Sequence, residues 1–141
     1  MTSQTQSQEE STSPKIERLI DANINRLKEG LRVIEDICRY IFDNRELTSE
    51  LKRLRHKLQT IHSINRLQYR DIVGDVQKES TKSELSRIDL RSVAIANFSR
   101  AEESSRVLEE IFKLQEIQYS ELMKEIRYKL YDLERVYFIN Y

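Results

Sequence analysis

The chain has few of the residues that make sharp turns, crosslinks or membrane spans. Its 141 residues include two glycines, one proline and one cysteine, Cys38, and no tryptophan. A single cysteine excludes an internal disulfide and fits a reducing compartment. The sequence has no run of about 18 apolar residues, which excludes a membrane-spanning helix, and its polar start has no secretory signal. We therefore expect a cytoplasmic protein with few tight turns.

The charges exclude two classes of partner. Twenty-four basic residues balance twenty-four acidic ones, so no overall field attracts nucleic acid or an acidic membrane. A small anionic ligand is still compatible, because it needs only a local patch. With 34% charged residues and so little glycine and proline, the composition favours a few long helices in one domain.

One stretch of sequence occurs twice. Residues 22–37 return 74 positions later as residues 96–111, with Ala, Asn, Arg, Glu, Arg, Val, Glu and Ile in step, where roughly one match is expected by chance. A second block returns at an offset of 72, where Lys52, Arg55, Lys57 and Leu58 match Lys124, Arg127, Lys129 and Leu130. We interpret the protein as an internal duplication.

Hydrophobic periodicity predicts two long helices in the first half. Ser13 as N-cap before Pro14 opens the first helix, which ends near Phe42. Asp43 with Glu46 reads as a capping box for the second, which runs to about Gln68. The predicted buried stripes are Ile20, Ile24, Leu27, Leu31, Ile34, Cys38 and Ile41 in the first helix, and Leu47, Leu51, Leu54, Leu58 and Ile61 in the second.

The second half repeats this plan. Asp89 is the predicted cap of the third long helix, and a turn near residues 115–118 leads to a last helix that ends at about Tyr137. Before it, Thr81 and Glu84 could cap a short helical turn. The predicted inward residues are Ala94, Phe98, Ala101, Ser105, Leu108 and Phe112, then Leu122, Ile126, Leu130 and Leu133.

These elements predict an all-α fold, an internally duplicated pair of helical hairpins that form a four-helix bundle with a long crossover loop and pseudo-twofold symmetry. The predicted organisation is a disordered polar tail at 1–13 and a single helical domain at 14–141, made of repeat one at 14–69, a loop at 70–88 and repeat two at 89–138.

The repeated polar residues are candidates for a binding site. On a helical wheel, Asn23 and Asn97 lie within the apolar stripes, and Arg26 and Arg100 lie at their borders. A buried amide needs partners, and the small residue beside it, Gly30 in the first copy, leaves room for a neighbouring helix or a ligand. The alternatives are a structural amide that bridges the halves, and border salt bridges to nearby glutamates.

Other repeated charges favour structural roles. Arg32 with Glu35, and Arg106 with Glu109, are interpreted as a solvated ladder of ion pairs three residues apart. Arg55 and Arg127 lie at the edges of the second and fourth stripes, where border pairing and phosphate binding are equal alternatives. No Cys-His spacing suggests a metal or nucleophilic site.

The loop contains the other candidate site, Arg70-Asp71-Ile72-Val73-Gly74-Asp75. Its arginine could bind phosphate oxygens, its carboxylates could bind Mg²⁺, and its glycine allows close backbone approach. The alternative is a charged turn in which Gly74 supplies a positive φ. A Gly-rich phosphate loop of the Walker kind does not occur.

Together these residues resemble one known family, the helical domain fused N-terminally to thiamine-phosphate synthase in some bacteria. The resemblance covers about residues 16–137 and depends on Asp21-Ala22-Asn23, Asn25-Arg26, Glu29-Gly30-Leu31-Arg32-Val33-Ile34-Glu35-Asp36, Leu54-Arg55-His56, Arg70-Asp71, Gly74-Asp75, Ala96-Asn97-Phe98, Arg100, Arg106-Val107-Leu108-Glu109-Glu110 and Ile126-Arg127-Tyr128. Two departures are Gln77, where the family loop has a second glycine, and Glu103-Ser104-Ser105-Arg106, where Glu-Ala-Leu-Arg is usual.

The resemblance implies an alternative hydroxymethylpyrimidine-phosphate kinase of thiamine biosynthesis. Such a phosphotransferase converts hydroxymethylpyrimidine monophosphate to the diphosphate, with ATP as co-substrate and Mg²⁺ as cofactor. The roles it implies are substrate binding by Asn23, Arg26, Arg55, Asn97, Arg100 and Arg127, catalysis by Arg70, Asp71 and Asp75, and metal binding by Asp71 and Asp75.

A second class of function is a non-catalytic module that binds a thiamine precursor or docks on a thiamine-phosphate synthase. It predicts ligand binding without turnover, whereas a purely structural bundle predicts that Asn23→Ala and Arg26→Ala change only stability. The sequence leaves the oligomeric state open, a homodimer included, and does not say whether the two halves form one site or two.

Overall fold

A computed structural model describes residues 13–61, 64–80 and 87–141 of the chain. These residues form helices and turns without a β-strand, which confirms the predicted all-α class. The four long helices are α1 (Pro14–Asp36), α2 (Arg45–Lys57), α3 (Leu90–Phe112) and α4 (Ile117–Asn140). A π-helical turn (Ile37–Ile41) continues α1, and two 3₁₀ turns (Leu58–Thr60 and Ile64–Tyr69) follow α2. The predicted tail up to residue 12 and the predicted caps Thr81 and Glu84 lie outside the described residues.

The start signals of α1 and α3 are where the sequence places them. The Oγ of Ser13 accepts a hydrogen bond from the backbone N–H of Ile16 (3.2 Å), and Pro14 occupies the first turn. The carboxylate of Asp89 accepts from the backbone N–H of Ser92 (2.8 Å). Both contacts satisfy backbone donors that the first turn of a helix leaves unpaired.

The predicted start and end of α2 are wrong. The N-cap is Asn44, whose Oδ1 accepts from the backbone N–H of Leu47 (3.0 Å). Asp43 instead takes a left-handed conformation, with φ of 50°, and reverses the chain between the two helices. α2 ends at Lys57 and its 3₁₀ turn at Thr60, short of the predicted end at Gln68.

The core lies where α1 packs on α3, with α2 against α1 and α4 against α3. Every residue of the stripes predicted for the second and third helices is buried, as are those predicted for the first helix up to Cys38. Ile41 is 55% exposed, contrary to the prediction, because the N–H of Phe42 bonds the carbonyl of Ile37 and adds a residue to that turn. In α4 Met123 is fully buried and Leu122 is only partly buried, while the other predicted residues are buried.

α1 and α3 approach closely at Gly30. A Cβ atom placed there would lie 3.1 Å from the carbonyl oxygen of Asn97 and 3.3 Å from the Cβ of Ala101. The matching residue in α3 is Ser104, whose hydroxyl donates to the carbonyl of Arg100 (2.7 Å) within its own helix. The small residues at this crossing bring the two copies of the repeated stretch into contact along one interface.

Candidate functional site

One cavity of about 660 Å³ is lined by both copies of the repeated stretch. α1 contributes Asn23 and Arg26, and α3 contributes Asn97, Arg100 and Ser104, among others. The connecting segment adds Gln77 and Arg87. We call this space the Asn23 cavity. Its volume is within the range of about 300–1,000 Å³ that small-molecule sites occupy.

Asn23 lines this cavity, and its side-chain oxygen is an unused hydrogen-bond acceptor. Asn23 is 5% exposed, and its Nδ2 donates to the carbonyl of Leu19 (3.0 Å). Its Oδ1 is buried and has no hydrogen-bond partner among the described residues. Leaving a buried acceptor unpaired costs about 1–3 kcal/mol, so a ligand that donates to this atom would recover that energy.

Asn97 repeats the arrangement on the other helix. Its Nδ2 donates to the carbonyl of Val93 (2.9 Å), four residues earlier, as Asn23 does to Leu19. Asn97 is only partly buried. Both amides are thus fixed by their own helices, which leaves their oxygens for other contacts.

The cavity carries guanidinium groups from three segments: Arg26, Arg100 and Arg87. Arg100 pairs with Glu29 of α1 (Nη2 to Oε2, 2.8 Å), so the ion pair crosses between the halves. Within the described residues, the side chain of Arg26 has no ion pair or hydrogen bond. One carboxylate, Glu103, also lines the cavity, so the three guanidinium groups leave its lining with an excess of positive charge, which suits a phosphate-bearing ligand.

A second cavity, of about 690 Å³, shares Arg26 with the first. It is lined by α1 and by the start of the connecting segment, and we call it the Asp75 cavity. Its charged lining residues are Lys15, Arg18, Asp21, Arg26, Glu29, Arg70, Asp71 and Asp75. The predicted catalytic residues therefore lie on one side of Arg26, and the predicted substrate amides on the other.

Two contacts hold the connecting segment on α1. Arg70 bonds both carboxylate oxygens of Asp21, with Nε to Oδ2 at 2.8 Å and Nη2 to Oδ1 at 2.9 Å. Arg18 donates from Nη2 to the backbone carbonyl of Asp71 (3.1 Å). Hydrogen bonding to Asp21 raises the pKa of Arg70 above its ordinary value, so Arg70 stays charged. In this structure Arg70 positions the loop.

Asp71 and Asp75 each use one carboxylate oxygen within the loop. Asp71 Oδ1 accepts from the N–H of Gly74 (2.7 Å), and Asp75 Oδ1 accepts from the N–H of Gln77 (2.9 Å). Gly74 does not take a positive φ, contrary to one prediction. Its lack of a side chain matters differently, because a Cβ there would collide with the carboxylate of Asp71.

Asp71 and Asp75 fit a magnesium ion that its phosphate ligand brings with it. Across the described ranges, no group of three or more His, Cys, Asp or Glu residues is arranged to hold a metal ion by itself. Mg²⁺ commonly takes one or two protein carboxylates and completes its shell with substrate phosphates and water. Two exposed carboxylates, each with one oxygen outside the loop hydrogen bonds above, match that pattern.

Arg55 and Arg127 form buried ion pairs outside the Asn23 cavity. Arg55 bonds Glu35 (Nε to Oε1, 2.9 Å), and Arg127 bonds Glu109 (Nη2 to Oε1, 2.9 Å). The predicted pairs of Arg32 with Glu35 and of Arg106 with Glu109 are present, but the two glutamates are 1% and 5% exposed, so the prediction that these pairs are solvated is wrong. The border pairing that the sequence allowed is present, and phosphate binding by the two arginines stays a prediction.

The electrostatics of Glu35 explain why it is stable in the core. Burial alone would raise the pKa of its carboxyl group. The hydrogen bonds and charges of Arg55 and Arg32 outweigh burial and bring the pKa of Glu35 below its ordinary value. Glu35 is therefore ionised at neutral pH and holds Arg55 in place.

Sequence reasoning missed three basic residues of the two cavities: Lys15, Arg18 and Arg87. Each stands outside the repeated motifs, so no spacing or periodicity identifies it. Their positions depend on how the connecting segment lies on α1 and α3, which only the folded chain shows.

A family model, described as the ThiD2 family, matches residues 18–136 of the chain. A thiamine-phosphate synthase of Nostoc punctiforme is 42% identical over 129 residues, which cover 91% of this chain and 37% of the relative. One of Synechocystis sp. is 42% identical over 120 residues, covering 84% of this chain and 35% of the relative.

A third relative, a thiamine-phosphate synthase of Thermosynechococcus vestitus, is 37% identical over 131 residues, which cover 92% of this chain and 37% of the relative. The chain thus spans little more than a third of the length of these relatives. No solved structure matches it. Among the described residues, no helix is both long enough and apolar enough to cross a membrane.

Proposed function

Because the chain belongs to the ThiD2 family, we propose that it acts in thiamine biosynthesis as a kinase that transfers a phosphoryl group from ATP to hydroxymethylpyrimidine monophosphate. The product is the diphosphate that a thiamine-phosphate synthase consumes, and proteins of that name are its relatives. We further infer that its four helices are a duplicated bundle, since Asn23 and Asn97, and Glu35 and Glu109, make matching contacts in the two halves.

The observation that carries the proposal is that the Asn23 cavity is lined by several arginines and by Asn23, whose side-chain oxygen is buried and unpaired. The substrate is an aminopyrimidine that bears a phosphate group. Its amino group would donate to Oδ1 of Asn23, and its phosphate would bind Arg26 and Arg100. One cavity would thus satisfy both ends of the molecule.

The phosphate donor is assigned to the Asp75 cavity. Lys15, Arg18 and Arg26 face it and can neutralise the triphosphate of ATP. Asp71 and Asp75 would hold Mg²⁺ there, which neutralises charge on the donor's phosphates when bound. Since Arg26 lines both cavities, it is placed to contact the phosphoryl group on its way from donor to acceptor.

The reaction makes few chemical demands on the protein. An oxygen of the substrate's phosphate attacks the γ-phosphorus of ATP, the bond to the β-phosphate oxygen breaks, and ADP leaves. Because a phosphate monoester has a second pKa of about 6, the attacking oxygen is ionised at neutral pH and needs no strong base. Catalysis then depends on in-line positioning and charge neutralisation, which arginines and carboxylate-held metal supply.

The test is a direct assay of the purified chain with ATP, Mg²⁺ and hydroxymethylpyrimidine monophosphate, in which diphosphate formation is followed. We expect turnover by the wild type and its loss in Arg26→Ala and in Asp75→Ala. The matched controls are Arg53→Ala and Asp132→Ala, exposed charges whose partners lie on their own helices away from both cavities.

The outcomes separate the candidate functions. Diphosphate made by the wild type and lost only in the cavity variants supports the kinase. Saturable binding of the pyrimidine phosphate without turnover makes the chain a non-catalytic binding module. If neither is detected while circular dichroism shows a folded chain, the proposal is overturned.

A further inference from the structure

A third cleft, of about 490 Å³, lies on the first half of the molecule between α1 and the end of α2. It is lined by Lys28, Glu29, Arg32, Arg55, Leu58 and Gln59. We call it the Lys28 cleft. The kinase proposal leaves it without a role, because neither the acceptor nor the donor is assigned to it.

The second half has a counterpart with opposite chemistry. At the sequence offsets of 74 and 72, the residues that match Lys28, Glu29, Arg32 and Gln59 are Glu102, Glu103, Arg106 and Tyr131. These four residues line a space of about 310 Å³. Two of the substitutions decide its character. Glu102 stands where the first half has Lys28, and Tyr131 stands where it has Gln59.

Both substitutions remove anion-binding capacity from the second half. The Arg127 guanidinium, the match of Arg55, lies 5.7 Å from the ring of Tyr131 and donates to its hydroxyl (3.3 Å). Glu102 adds a carboxylate whose Oε2 is buried and unpaired. The guanidinium group of Arg127 is therefore hydrogen-bonded to Tyr131, and Glu102 provides no positive charge at the position where the first half has Lys28.

In the first half, the cations of the Lys28 cleft still have groups that can bind an anion. Arg55 bonds Glu35 through Nε and Nη2, and Arg32 bonds it through Nη1, so the other terminal nitrogen of each is outside this pairing. Within the described residues, Lys28 has no ion pair. Glu35 is buried and fixes both guanidinium groups, while Leu58 gives the cleft an apolar wall.

We propose that the Lys28 cleft is a second anion-binding site, which takes the phosphate group of a small phosphorylated ligand separate from the pair that reacts. Lys28 and the outward nitrogens of Arg32 and Arg55 bind the phosphate, and Leu58 contacts the ligand's apolar part. The second half has lost the matching site through Glu102 and Tyr131. The inference does not depend on the kinase activity.

The test uses inorganic pyrophosphate as the probe and isothermal calorimetry as the readout. The background chain carries Arg26→Ala with Arg100→Ala, which disable the Asn23 cavity, and Lys15→Ala with Arg18→Ala, which remove the other cations that the donor's phosphates would use in the Asp75 cavity. We expect saturable binding to persist in this background. Adding Lys28→Glu with Gln59→Tyr, which installs the residues of the second half, should weaken the binding at least tenfold.

The reciprocal substitutions control for a loss of binding that is caused only by misfolding. Glu102→Lys with Tyr131→Gln, placed in the same background, should add a further equivalent of bound pyrophosphate, which misfolding cannot produce. If this gain does not occur, the claim that these two positions decide binding is overturned. Absence of binding in the background chain, or binding that Lys28→Glu with Gln59→Tyr leaves within twofold, overturns the site itself.

Turnover separates this proposal from the kinase. In an otherwise wild-type chain, Lys28→Glu with Gln59→Tyr should leave the KM for the pyrimidine phosphate within twofold. If the wild-type chain shows no turnover, the kinase proposal is overturned. If these two substitutions still weaken pyrophosphate binding, the anion site in the Lys28 cleft is supported.

Discussion

Arg100 of α3 reaches across the interface to Glu29 of α1, with its Nη2 2.8 Å from Oε2 of the carboxylate. The two side chains are 42% and 60% exposed, so water screens the pair and its contribution to stability is small. The pair matters more for the Asn23 cavity, because Glu29 competes with any anionic ligand for Arg100.

Removing that competition should strengthen ligand binding. We expect Glu29→Gln to tighten binding of the pyrimidine phosphate about two- to fivefold, since an exposed ion pair is worth up to about 1 kcal/mol. Calorimetry on the wild type and the variant measures the change. Glu50→Gln, which breaks the surface pair with Arg53, is the control that should change nothing. Weaker binding in Glu29→Gln would mean that the carboxylate itself contacts the ligand.

The buried ion pairs, unlike the exposed pair of Arg100 and Glu29, should contribute strongly to stability. Arg55→Ala leaves the carboxylate of Glu35 buried without its main partner, and we expect the free energy of unfolding in urea to fall by about 3 kcal/mol. Arg53→Ala, two residues away and exposed, should change it by under about 0.5 kcal/mol. Equal effects of the two variants would show that the Glu35 pair adds little to stability.

Asn23 should matter more for ligand binding than for stability. We expect Asn23→Ala to keep the free energy of unfolding within about 1 kcal/mol of the wild type, because it removes one hydrogen bond and one unpaired acceptor together. Binding of the pyrimidine phosphate should fall at least tenfold. The control is Asn140→Ala, which deletes the same kind of bond, from Nδ2 to the carbonyl four residues earlier (2.8 Å), at an exposed site. Unchanged binding in Asn23→Ala would remove Asn23 from the ligand site.

Glu102 should make the protein less stable at alkaline pH. Burial, together with repulsion from Glu134 and Glu103, raises the pKa of its carboxyl group from 4.5 to about 8. Between those values the folded chain holds a proton that the unfolded chain has lost, so the free energy of unfolding falls as the pH rises from about 5 to about 8.

Glu102→Gln should flatten this decline and stabilise the chain by about 1 kcal/mol at pH 9, a figure reduced for partial solvent exposure. Thermal melts from pH 5 to pH 9 measure both effects. Glu121→Gln, on an exposed face of α4, is the control. A parallel pH dependence in Glu102→Gln and the wild type would contradict the raised pKa.

The features that the sequence predicted correctly depend on residues close together in the same helix. The stripes of α2 and α3 and the caps Ser13 and Asp89 all follow from local periodicity and hydrogen bonding. The inward position of Asn23 follows from the same helical wheel. Ile41 is the exception, since a π turn shifts the register of a helix and no residue pattern announces it.

What the sequence could not provide were partners between segments. Glu35 sits three residues from Arg32, a spacing typical of exposed ion pairs, and its burial depends on Arg55, 20 residues away. Likewise the local partner expected for Arg100 was a glutamate on its own helix, whereas the partner in the structure is Glu29, 71 residues away. The first contact depends on how α2 packs on α1, and the second on how α1 crosses α3.

The π turn at Ile37–Ile41 lies between Glu35 and Arg55, where the first hairpin has two more residues than the second. Glu35 and Arg55 are 20 residues apart and Glu109 and Arg127 are 18 apart, yet both pairs close at 2.9 Å. The extra length of the first half is taken up between these residues, at the end of the hairpin. The two hairpins thus differ by two residues at this corner while their buried ion pairs keep the same length.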